Sequence, residues 1–164
     1  MTATVTDAHG NRVEGIQPTI TSELGVVEPT STGARLTVPD AFGGRRELRL
    51  RAAAPGVSGA AALALEAGPV ATAKLTVPSQ VAAGAPVGGT LSVYDAWGNP
   101  ADAHAVRVVA SDGRVAELSA TDGPGFAVGY QTGKEDSAAP LEFEVRAGER
   151  TLARSSIGVL PYQR

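Results

Sequence analysis

Asp95, Asn99 and Asp102 stand close enough along the chain to offer oxygen atoms from one loop, and Asp7, Asn11 and Glu14 offer a comparable set near the N-terminus. The cation such a set would suit is calcium, which takes about six to eight oxygen ligands, usually with several carboxylates among them. Neither loop has the Asp-x-Asp-x-Asp spacing that would supply enough charge alone, so a calcium site here would have to pool ligands from both loops. The competing reading is a turn. In it each Asp accepts backbone N–H groups of its own loop, while Gly and Asn take left-handed conformations. The residues favour the turn, with Asp7, Gly10, Asn11, Asp95, Gly98 and Asn99 as its defining positions, and no cofactor or metal is expected.

Other chemistry finds fewer residues to work with. There is no cysteine, which removes disulfides, thiol catalysis and cysteine-based zinc sites together. A hydrolytic triad needs a nucleophile, a base and an orienting acid, and the two histidines, His9 and His104, sit at unrelated positions in the chain. The nearest approach to a nucleophile elbow, Gly56-Val57-Ser58-Gly59-Ala60, fails at its last residue. Gly123-Pro124-Gly125-Phe126 has the wrong spacing for a dinucleotide fingerprint. The chain is therefore read as non-enzymatic. Trp97 raises carbohydrate binding, since a flat indole stacks on sugar rings. Its place in the loop favours a bracing role instead, with Trp97 packed beside the Pro69 region of the connection between two domains.

Those loops must be held by something, and the chain repeats what holds them. Asp7-Ala8-His9-Gly10-Asn11-Arg12 returns 88 positions later as Asp95-Ala96-Trp97-Gly98-Asn99-Pro100. The same offset places Thr2 on Thr90, Val5 on Val93, Gly25 on Gly113 and Val27 on Val115. With small insertions, residues 35–38 then fall opposite 127–130, and residues 48–52 opposite 143–147. The chain is two copies of one unit, expected at residues 1–68 and 69–164 and joined by a short linker over 66–72.

Composition says what kind of unit this is. The chain carries 20 Gly, 11 Pro and few aromatics, with no long helical periodicity free of Gly and Pro, so many short strands are expected. Period-two alternation in the second copy predicts strands over 73–78, 89–95, 105–110, 114–118, 125–131, 141–147 and 151–159. In the first copy it predicts strands over 2–6, 18–22, 35–38, 47–53 and 58–65. Seven short strands with Asp-Gly turns between them make an antiparallel β-sandwich. The first copy lacks a counterpart to the 73–78 strand, strand A. Either the chain is trimmed from a longer protein, the favoured expectation, or an edge is left open for a partner's strand.

The net charge of −3 is spread over both signs, and the one basic run, residues 45–51, alternates Arg with Leu as a solvated strand face does. Nucleic-acid binding is not expected. No stretch is long and apolar enough for membrane insertion. The N-terminus lacks the charged and apolar regions of a signal peptide, so an extracellular or envelope location requires export as part of a precursor.

The phrase from Val5 to Val13 and its echo from Val93 to Ala101 resemble bacterial immunoglobulin-like domains, with the flavour of the invasin- and intimin-type group. There, a strand ending Val-x-Asp runs into a Gly-Asn turn followed by Pro and a small or apolar residue. The resemblance implies immunoglobulin-like sandwiches in tandem, an exported surface module and no catalytic residues. The expected function is thus a spacer or adhesion stalk in a bacterial surface or envelope protein. Its partners would be adjacent domains of the same longer chain and a protein or glycan ligand. The rivals are an accessory, substrate-positioning tail of a secreted enzyme and a subunit completed by a donated strand. The closing residues 158–164 read as the end of a last strand at a natural C-terminus.

Overall fold

The computed structural model of the chain describes residues 1–123, 125–134 and 139–161. The chain is all-β and divides into two compact units, Met1–Glu66 and Ala67–Arg164.

The first unit contains β1 (Thr19–Ser22), β2 (Val26–Thr30), β3 (Gly33–Thr37), β4 (Glu47–Ala54) and β5 (Val57–Ala64). One sheet runs in the order β1-β4-β5, and β2 pairs with β3 in a second. β4 is the arginine-rich run, and its alternation works as written. Leu48 and Leu50 are buried while Glu47, Arg49 and Arg51 face water. These two leucines are the buried apolar residues of the unit among those described.

The strand expected over 2–6 does not form as a continuous strand. Met1 exchanges both backbone hydrogen bonds with Ala34 of β3, each at 2.9 Å, and Thr6 bridges to Arg12. Between those two points the segment has no ladder on either side among the described residues, so nothing holds its pleat. Gly33 allows the approach to β3. Its φ is +153°, and a Cβ there would stand 2.5 Å from the Met1 carbonyl oxygen. β2 was not expected: its run Val26-Val27-Glu28-Pro29-Thr30 lacks period-two alternation and holds a proline, and Val26 is exposed. Pro29 is tolerated because β2 is an edge strand, where a missing N–H costs no ladder bond.

The second unit adds β6 (Thr72–Thr76), β7 (Gln80–Ala82), β8 (Pro86–Tyr94), β9 (Arg107–Ala110), β10 (Glu117–Ala120), β11 (Phe126–Gln131), β12 (Leu141–Ala147) and β13 (Arg150–Leu160). Its sheets are ordered β10-β11-β8-β6 and β7-β13-β12-β9, antiparallel throughout except for the β7–β13 pair, the immunoglobulin-like arrangement of two layers. Around Pro78 the first strand changes layer. β6 runs antiparallel to β8 in one sheet, whereas β7 runs parallel to β13 in the other. Phe143, Leu91, Ile157, Val108 and Val145, from both layers, are wholly buried between them.

Two expected strands shift for local reasons. Residues 103–105 form a 3-10 turn capped by Asp102, so the third strand starts at Arg107. Arg114 and Val115 fold back on Ala110 and Val109 as a tight hairpin, which delays β10 to Glu117. Residues 162–164, expected after the last strand, lie outside the described residues.

Candidate functional site

The repeated loop is built twice with the same bonds. In each copy the Gly N–H donates to the Asp carbonyl, Gly10 to Asp7 at 3.1 Å and Gly98 to Asp95 at 3.3 Å. The Asp N–H donates to the Asn carbonyl, at 2.9 Å and 3.0 Å. Val13 to Val5 and Ala101 to Val93 close the next rung. This is a three-residue hairpin: a type I turn followed by a glycine in the left-handed region, with φ +85° at Gly10 and +83° at Gly98. The side chains complete it. One oxygen of Asp7 accepts from the N–H groups of His9 and Asn11, and the other from the Asn11 amide. Asp95 does the same with Trp97 and Asn99.

The second copy adds one bond that the first does not show. The Gly68 N–H donates to the second Asp95 oxygen at 3.0 Å. Asp95 therefore accepts four N–H groups, which fills the lone-pair positions of a carboxylate. Asp95 and Asn99 are buried at 2 % and 1 % exposure, whereas Asp7 and Asn11 are exposed. Burial by itself pushes the Asp95 carboxyl up. The N–H donors of Asn99, Gly68 and Trp97 together outweigh it and hold the group at about 2. Asp7 is also held below the ordinary carboxylate range, first by the Asn11 side-chain amide.

Of the other sequence candidates, Asp102 caps the 3-10 turn by accepting from the His104 N–H at 2.9 Å. Among the described residues no group of three His, Asp or Glu converges in a way that could hold a metal. Trp97 is 53 % exposed, and one edge of its indole lies over Gly68, where a Cβ would stand 3.1 Å from Cζ3. Pro69 is exposed beside it. Trp97, Asp95 and Gly68 are thus one cluster within the second unit, fastening the start of that unit to the end of β8. The Gly68 bond has no sequence signal, since nothing in Glu66-Ala67-Gly68 marks a donor to a residue 27 positions away.

A second polar cluster also escaped the sequence reading. Tyr130 of β11 donates its hydroxyl to the Asp112 carboxylate, and the Arg114 guanidinium binds the same oxygen at 2.6 Å. Arg114 lies 4.8 Å from the centre of the Tyr130 ring, and that ring meets Phe143 edge-on at 5.1 Å. Burial would raise the Asp112 carboxyl, but the Tyr130 hydroxyl and the Arg114 donors bring it below its ordinary value. Pro86, Val87, Val115 and Glu117 join Arg114 and Tyr130 around a shallow surface depression. Asp112-Gly113 was legible as a turn, but its link to Tyr130 depends on strand pairing.

No family model matches the chain, and no curated protein matches it. Among solved structures, FdeC, a broadly conserved Escherichia coli adhesin, is similar in fold with a TM-score of 0.51 at 20% identity. The match takes in 94% of this chain and 56% of that chain, so the present chain spans little more than half of that adhesin structure. Domains 4 and 5 of the S-layer protein SbsC align at 18% identity with a TM-score of 0.45, over 97% of this chain and 80% of that one. Domains 5–6 of the same protein align at 16% identity with a TM-score of 0.40, over 98% and 88%.

Proposed function

We propose that the chain is a non-catalytic structural and interaction module of a larger bacterial surface or envelope protein, acting as a spacer or adhesion stalk. The observation that carries this reading is the duplicated loop. In both copies the Asp side chain accepts bonds from its own turn, so what the repeat preserves is a way of ending one strand and starting the next. A pair of sandwiches built on such turns is suited to spacing. The likeness in fold to FdeC supports the surface setting, since that protein is an adhesin. The partners in this reading are neighbouring domains of the same polypeptide. The test is antibody labelling of intact source cells. Labelling without permeabilisation, lost on brief protease shaving, is expected, and labelling only after permeabilisation sinks the proposal.

The exposure of Trp97 favours a second reading, a glycan ligand held against the indole. A glycan array separates the two. Retention of a sugar by the native chain and its loss in Trp97→Ala supports binding. A blank array, with a lowered melting temperature for the variant, leaves Trp97 as a fastening for Gly68.

A further inference from the structure

Near its start, the second unit fastens a short segment of its own chain from two sides. The Gly68 N–H donates to the Asp95 carboxylate at 3.0 Å, and the Ala71 N–H donates to the Tyr94 carbonyl at 2.8 Å. Tyr94 ends β8 and Asp95 follows it, so both acceptors belong to the β10-β11-β8-β6 sheet. Arg150 reaches the same segment from the other sheet, at the start of β13. Its guanidinium Nη2 donates to the Val70 carbonyl at 3.0 Å and to the Ala71 carbonyl at 3.1 Å. Residues 68–71 therefore tie the two layers together. Val70 also packs against the core, and Pro69, with its fixed φ, stiffens the run between the tied residues.

The residues just upstream are held differently. The Leu65 N–H donates to the Arg46 carbonyl at 2.9 Å, which carries the β4–β5 pairing past the end of β5. Glu66 and Ala67 follow, and among the described residues neither makes a hydrogen bond. The backbone is thus held up to Leu65 by the first unit and from Gly68 by the second. Two of the ties on residues 68–71 come from charged side chains, and hydrogen bonds to ionised groups are about twice as strong as neutral ones. They are also separable from the sandwich itself. Arg150 is exposed, so removing its guanidinium leaves the strand ladders intact. Of the N–H groups that Asp95 accepts, Gly68 supplies the one from outside the 95–99 loop.

We propose that residues 68–71 are a strap, held across the two sheets by Asp95 and Arg150, that sets how freely the connection between the units turns. With the strap shut, turning is confined to the backbone torsions of Glu66 and Ala67. With Asp95 and Arg150 released, the turning segment lengthens as far as Val70, the last residue before the Ala71 bond to β8. The strap rests on bonds inside the second unit and not on the surface setting, so each can fail without the other.

The test is backbone amide NMR relaxation on the full chain. Order parameters at Gly68, Val70 and Ala71 should match those of β8 and β12, about 0.85, while Glu66 and Ala67 fall towards about 0.6. Arg150→Met keeps an apolar stem and removes the donors. It should lower the value at Val70 and leave Ala71, β12 and β13 unchanged, with Arg150→Lys falling between it and the native chain. Adding Asp95→Asn, which leaves one acceptor oxygen where two are used, should lower Gly68 as well. The rotational correlation times fitted separately to β4 and to β12 should then both shorten. The strap is overturned if Gly68 and Val70 are already as mobile as Glu66 in the native chain, or if Arg150→Met leaves Val70 at its native value. It is also overturned if the two correlation times stay unchanged once both ties are gone. Because Arg150 lies on the surface, its variant reads the strap even where Asp95→Asn unfolds the 95–99 loop.

Discussion

Asp95 and Asp7 share a sequence context and a set of turn bonds, and differ in burial and in the Gly68 N–H. That contrast makes a prediction about pH. The folded-state value of Asp95, about 2, lies below its ordinary 3.8. The stability it contributes is therefore complete above about pH 4 and is lost as pH falls through 2. Asp95→Asn should lower the melting temperature at pH 7 by more than Asp7→Asn does. The gap between Asp95→Asn and the native chain should close as pH falls from 4 to 2, a trend that scanning calorimetry at stepped pH would reveal. With its lone pairs filled, Asp95 should also bind no calcium, so addition of millimolar calcium should leave the melting temperature unchanged. Tyr130→Phe removes a hydroxyl from Asp112 but leaves the Arg114 pair, and should cost about 1–2 kcal/mol in urea melts.

At the scale of elements, close approach is governed by glycines whose role no propensity reveals. Gly89 in β8 is such a position: a Cβ there would stand 2.7 Å from the Thr76 carbonyl oxygen and 2.9 Å from Val77 Cγ1. Gly89→Ala should push β6 off its sheet at a cost of about 1–3 kcal/mol, with faster exchange of the β6 amides as the local sign. The strands that were legible, β4, β11 and β12 above all, alternate over a face that burial enforces. Those that were misplaced fail for a physical reason. β2 holds a proline at an edge. β10 waits for a hairpin whose return arm, Arg114–Val115, alternates like a strand. Residues 2–6 have the pattern of a strand without a continuous partner to pair with.

For the molecule as a whole, the two units should not be equally stable. The second buries a shared cluster from both of its sheets around Phe143, Leu91 and Ile157, whereas the first buries Leu48 and Leu50. Hydrophobic burial scales with apolar area removed from water. The first unit should therefore melt at the lower temperature, as a separate calorimetric transition. Phe143→Ala should lower only the upper transition, by about 3–5 kcal/mol, and Leu48→Ala only the lower one. The sequence by itself determined the β class, the recurrence of the Asp-Ala-x-Gly-Asn turn with its defining residues, and the inward face of strands such as β4 and β12, because these depend on spacing and on backbone preferences within a few residues. The tertiary structure decided which Asp is buried, that Gly68 completes its shell, that Tyr130 reaches Asp112 and that Met1 pairs with Ala34. Each of those depends on which distant backbone groups meet, and no local pattern records that.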